Sequence, residues 1–94
     1  MGFDFKNRKC VEQFSDIMEL QLLKNDHKGG WDHMPIDSLF NSLEDEVSEL
    51  KEAINGGTPR EIEDEAADVA NFAMMIADVA MIMFVRRAEN ILRK

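Results

Sequence analysis

Cysteine is all but missing: Cys10 is the only one among 94 residues, so no intrachain disulfide can form and no cysteine knuckle can hold a metal. That usage leads us to expect a reducing, cytoplasmic setting. Basic residues are scarce too, 11 against 19 acids for a formal charge of −8, and unassisted binding to nucleic acid is not expected of such a chain. The opening MGFDFKNRKC lacks the apolar stretch of a secretory signal, and Lys6 stands where a myristoylation site wants Ser or Thr, so no targeting signal is read there. There is no internal repeat and no low-complexity segment. A chain this short makes one domain with a marginal core, and a second subunit is expected to cover part of it.

What is present is helical periodicity. Val11, Phe14, Met18 and Leu22, widened by Ile17 and Leu20, predict an amphipathic helix from about Asp4 to Asn25. It should end near KNDHKGG, where Gly29 and Gly30 suit a turn and Trp31, His33 and Pro35 lead onward. A second helix is expected from Pro35 or Ile36 to Asn55, its stripe being Leu39, Leu43, Val47, Leu50 and Ile54, with Gly56 and Gly57 as the stop. The third has a clear start: Thr58 as N-cap, Pro59 in the first position, Glu61 completing a capping box, then Glu63 and Asp64 at the positive end of the helix dipole. The tail RRAENILRK either continues this helix or forms a short fourth, with Arg86, Arg87, Arg93 and Lys94 favourably placed at a C-terminus.

From Val69 to Val85 every residue is apolar except Asn71 and Asp78, so this helix must be covered nearly all round. A membrane span would need about 20 apolar residues. The run falls short of that, is rich in Ala and Met, and carries an acid near its middle. Burial at a subunit interface is expected instead, in a homodimer or homotetramer with no membrane partner.

The acids are concentrated: ten of the nineteen lie between Glu44 and Asp68. Residues three apart share a helix face, so Glu46 pairs with Glu49 and Glu65 with Asp68. Each pair borders an apolar stripe, and an antiparallel packing of the second and third helices lets the pairs face each other. A single acidic pair is most simply a solvated face, but two on consecutive helices, both at the rim of a core, repel unless protonated or neutralised by cations. All-oxygen ligands select hard ions, Mg²⁺ with Mn²⁺ as substitute. The absence of a Glu-x-x-His pair argues against a di-iron centre. Such ions bind phosphate oxygens and activate water.

These same residues resemble a known family. DEVSEL reads as an acidic Glu-Glu-x-x-Glu motif with Asp45 in first place, and EAAD supplies the Glu-x-x-Asp that follows in the MazG-like superfamily of all-α nucleoside triphosphate pyrophosphohydrolases, which includes dCTP pyrophosphatases and dimeric dUTPases. The wider strings LEDEVSELKEAI and EIEDEAADVANFAMMIAD are similar through both helices, over roughly residues 31 to 80, and KGGW looks like small phage and bacterial members acting on purine deoxynucleotides. The resemblance implies an all-α bundle assembled as a tight dimer or dimer of dimers. It also implies metal-dependent hydrolysis of a (deoxy)nucleoside triphosphate, of the dATP or dGTP kind, to monophosphate and pyrophosphate. It makes Glu46, Glu49, Glu65 and Asp68 the metal ligands and gives Asp45, Glu46 and Glu49 catalytic parts. Asp45 departs from the family's longer Glu, and it is assigned as orienter or proton acceptor. The family's C-terminal phosphate contacts have no counterpart in this chain, and Arg86, Arg87 and Lys94 are the candidates to replace them.

Other residues carry two readings each. Asn71, one turn beyond Asp68, either contacts sugar or base or is a buried amide satisfied by a neighbouring backbone. Asp78 is either a further ligand or an interface acid paired with an arginine of a second subunit, Arg86 or Arg87 being the candidates, and the pairing is the expectation. Trp31 can stack on a base, yet large aromatics mostly bury, which favours a plug sealing the loop. Lys24 and Lys28 either reach phosphates or solvate a helix end. Met74, Met75, Met81 and Met83 read as core filler and Cys10 as a small hydrophobe. The rival to an enzyme is an acidic helical interaction module that binds a basic partner and dimerises through its third helix.

Overall fold

Two glycine-containing breaks turn a mostly helical chain back on itself. In the computed structural model, which describes residues 8–93, α1 spans Lys9–Asn25, a 3₁₀ turn spans Asp26–Lys28, α2 spans Ile36–Gly56 and α3 spans Pro59–Leu92. No strand occurs among the described residues; the fold is all-α. The start expected for the first helix, at residues 4–7, lies outside the described range together with Gly2, Lys6 and Lys94. Within that range α1 begins at Lys9, after an extended Arg8.

The turn between α2 and α3 needs glycine for space. The Gly57 amide donates to the Ala53 carbonyl at 2.7 Å, and a Cβ on Gly57 would sit 2.8 Å from that same oxygen. Thr58 Oγ1 then accepts from the Glu61 amide at 3.2 Å, satisfying one of the free donors of the first turn, and Pro59 enters with its φ already helical. The Glu61 carboxylate does not return to the Thr58 amide as the expected capping box would have it; Oε1 accepts from the Thr58 hydroxyl instead, at 3.3 Å. With only Gly57 and Thr58 between them, α2 and α3 form an antiparallel hairpin. Its far end brings Ile36 and Asp37 to the same groove as Val79 and Ile82. On the other side α1 packs on α3, and the buried Asn71 donates from Nδ2 to the Met18 carbonyl at 3.0 Å.

The packing row on α2 differs from the expected stripe by one position. Leu39, Leu43, Glu46, Leu50 and Ala53 are buried or half-buried, while Val47 is 49% and Ile54 60% exposed. Their alternating spacing of four and three is that of two helices running side by side at a shallow angle, and it draws Glu46 into the row. In α1, likewise, Val11 and Leu20 stay exposed although the periodicity placed them on or beside the stripe, because only α3 covers this helix.

α3 runs unbroken to Leu92, so the tail continues it and makes no fourth helix. At about 50 Å it outreaches α2, leaving Phe84, Ile91 and Leu92 exposed. α3 is long and apolar enough by composition to cross a membrane, and little of that stretch is buried within the chain. The buried apolar residues among those described are Leu39, Ala53, Ala67 and Val79. The surface of 7680 Å² exceeds the roughly 5,500 Å² of a compact monomer of this length. The radius of gyration, 16.2 Å, likewise exceeds the roughly 12 Å expected.

Candidate metal centre

The carboxylates meet where α2 and α3 pass each other. Glu46 and Glu49 from α2 and Glu65 from α3 each offer an oxygen within 4.8 Å of the other two. Helical spacing sets Glu49 one turn beyond Glu46, and the antiparallel hairpin brings Glu65 up opposite them. Glu46 and Glu65 are half-buried, Glu49 exposed. One oxygen of each half-buried acid, Glu46 Oε2 and Glu65 Oε2, is buried with no hydrogen-bond partner. That is a costly condition for a polar atom.

The proton affinities follow from this crowding. Burial, the adjoining Glu49 carboxyl and the charges of Asp68 and Glu65 push the Glu46 carboxyl up to about 8. Glu65 is raised by burial and then by Glu49 and Asp68. Asp68 is raised by burial and by the charges of Asp64 and Glu49, against the opposing pull of Lys24 and Lys28. Asp68 therefore belongs to the same electrostatic cluster, although it stands outside the closest trio.

A hard divalent cation fits this donor set. It accepts several carboxylate oxygens at once, would coordinate atoms that have no donor, and would offset repulsion that burial makes severe. Beside the trio opens a cleft of about 510 Å³ lined by Glu49, Glu52, Glu61 and Glu65 together with Ala53 and Gly57. A polyanion can enter a cleft so acidic only in company with cations.

The other expected site residues are scattered differently. Asp45 is exposed on α2 beside Glu46. Asn71 spends its amide N–H on α1, and its Oδ1 is buried without a partner. Lys28 sits in the turn after α1, where its charge reaches Asp68. Trp31 is half-buried and donates from Nε1 to Asp78 Oδ2 at 2.9 Å. Arg86 and Arg87 stand about 27 Å along α3 from Asp68 and do not join the carboxylates within this chain; Arg86 lines a separate groove with Asp32 and His33.

Three acids were not among the expected site residues. Glu52 and Glu61 line the cleft and Asp64 acts on Asp68. Their signal was available, since each lies three or four residues from a pair member. Lys24, for which the sequence offers both a phosphate contact and a solvated helix end, carries a charge that acts on Asp68. No protein-family model, curated protein or solved structure matches this chain.

Proposed function

We propose that this protein is a Mg²⁺-dependent pyrophosphohydrolase of the MazG-like kind, converting a (deoxy)nucleoside triphosphate, by preference a purine deoxynucleotide, to monophosphate and pyrophosphate. The observation that supports this best is the pair of buried, partnerless oxygens of Glu46 and Glu65, set within a trio of carboxylates from facing helices. Glu46, Glu49, Glu65 and Asp68 would hold the metal, with Mn²⁺ able to substitute. When bound, such an ion supplies positive charge to phosphate oxygens and acidifies water. The chain's own residues do the rest. Lys24 and Lys28, near enough to oppose the negative charges around Asp68, face the charge of the triphosphate. Asp45 neighbours Glu46 and Glu52 and Glu61 line the cleft, and one of these carboxylates would take the proton of the attacking water as the anhydride bond to pyrophosphate breaks.

A second copy of the chain covers the apolar surface in this reading, as a homodimer or homotetramer in the cytoplasm. Asp78 and Asn71 within the apolar window of α3 favour protein over lipid as the cover. The rival, an acidic module for a basic partner, accounts for the exposed acids but leaves the two buried oxygens without a purpose. The test is turnover of the carboxylate variants at saturating Mg²⁺. Glu49→Gln and Asp68→Asn should each lose at least about a hundredfold in kcat/KM, roughly the scale of removing a group that acts in the transition state. Full turnover in either variant would remove that residue from the site.

A further inference from the structure

The loop that joins α1 to α2 is hydrogen-bonded to α3 through Trp31. Its first turn closes with the Gly29 amide donating to the Asp26 carbonyl at 3.1 Å, and a second with Met34 donating to Trp31 at 3.0 Å. Gly29 takes φ +90°, a conformation side-chain-bearing residues rarely adopt. Between these turns Trp31 Nε1 reaches across to Asp78 Oδ2 at 2.9 Å. Beneath the loop lies a cavity of about 140 Å³ walled by Leu22, Trp31, Leu39, Phe72 and Met75, with Lys28 on its edge.

The face of α3 that carries this contact also carries the site. Asp68, Phe72 and Met75 follow one another at helical spacing and lead to Asp78, so the line runs from a carboxylate of the cluster, past two cavity walls, to the acceptor of the tryptophan. Wherever the loop sits on α3, it fixes both the width of the cavity and the place of Lys28.

We propose that Asp78 is a positioning residue: through Trp31 it holds the 26–35 loop closed on α3 and so shapes an apolar slot for the heteroaromatic ring of the nucleotide. The proposal rests on the nucleotide reading of the adjoining carboxylates. Two aromatic walls and an apolar floor suit a flat ring, and the acid itself touches no substrate. The bond needs an acceptor at position 78, not a charge. Asparagine should therefore serve as well as aspartate, and alanine should not.

Trp31 is the only tryptophan, so its fluorescence reports the latch without any substrate. In the full-length protein, Asp78→Ala should make Trp31 more accessible to acrylamide quenching, and Asp78→Asn should quench like the parent. With dATP or dGTP and Mg²⁺, Asp78→Ala and Trp31→Phe should raise KM roughly three- to tenfold, the scale of one partly exposed hydrogen bond, with kcat within about twofold, and Asp78→Asn should restore the parent KM. Unchanged quenching in Asp78→Ala, or an Asn variant as impaired as the Ala variant, would overturn the proposal. A parent that hydrolyses neither nucleotide would overturn the catalytic reading instead, and the quenching series would still decide the latch.

Discussion

Glu46 shows how a charged side chain can be drawn into a packing row that does not suit it. It occupies a packing position between Leu43 and Leu50, where an apolar residue would be more stable, and its carboxyl titrates near 8 instead of its ordinary 4.5. Between those two values the folded protein keeps a proton that the unfolded chain has released. Metal-free stability should therefore fall as pH rises from about 4.5 to about 8, and the raised Glu65 and Asp68 add to the same slope. Mg²⁺ competes with those protons, so its gain in Tm should be larger at pH 8 than at pH 5. Thermal melts with EDTA and with Mg²⁺ across this range check both slopes; a metal-free Tm that climbs with pH would contradict the account. Glu46→Gln removes one of the repelling charges, and at pH 8 in EDTA it should melt roughly 5 °C above the parent, the shift that about 1 kcal/mol gives a chain of this length. It should also lose most of the gain from Mg²⁺. The paired spacing of the acids was legible in the sequence, but the depth of Glu46 was not, because a rotation of α2 by one position decides whether Val47 or Glu46 faces α3.

At the scale of elements, the signals with a local cause were the readable ones. The Gly-Gly-Thr-Pro junction sets the end of α2, the cap of α3 and the hairpin through backbone contacts within a few residues, all visible in the sequence. Gly57→Ala would force a Cβ to within 2.8 Å of the Ala53 carbonyl oxygen. A loss of about 1 to 3 kcal/mol is expected, whereas Thr58→Ala should cost about 1 kcal/mol through the lost cap. Urea unfolding measures both, and a neutral Gly57→Ala would show that the turn opens freely. The partner of Asp78 was out of reach of such reasoning: Trp31 and Asp78 lie 47 residues apart, and only the antiparallel return of α3 beneath the loop brings them together. Whether α3 continued through Arg86 and Arg87 also had no local answer, for the tail holds neither a glycine nor a proline to stop it.

For the whole molecule, the balance of surfaces decides. One large side chain among those described, Leu39, is fully buried, while Leu23, Phe40, Ile54, Met81 and Phe84 are at least half exposed. The surface in excess of a compact monomer, about 2,000 Å², is more than the roughly 800 Å² that each partner gives to a standard interface. Light scattering after size exclusion should therefore give a dimer or tetramer at micromolar concentration, and Phe84→Glu should shift it towards smaller species or unfold it. A folded, monodisperse monomer of the parent chain would contradict this. The apolar run of α3, interrupted only by Asn71 and Asp78, is what leads the sequence to expect a partner; which face a partner would use was not legible, since that depends on which residues α1 and α2 leave uncovered. The central claim is chemical, and its most direct test is release of pyrophosphate from a panel of canonical and modified nucleoside triphosphates, with Mg²⁺ or Mn²⁺ and with EDTA. Metal-dependent release from one or a few of them, strongest with purine deoxynucleotides and abolished by EDTA, is the predicted result. Silence across the panel from a folded, oligomeric protein would contradict it and leave the acidic cluster to a binding role.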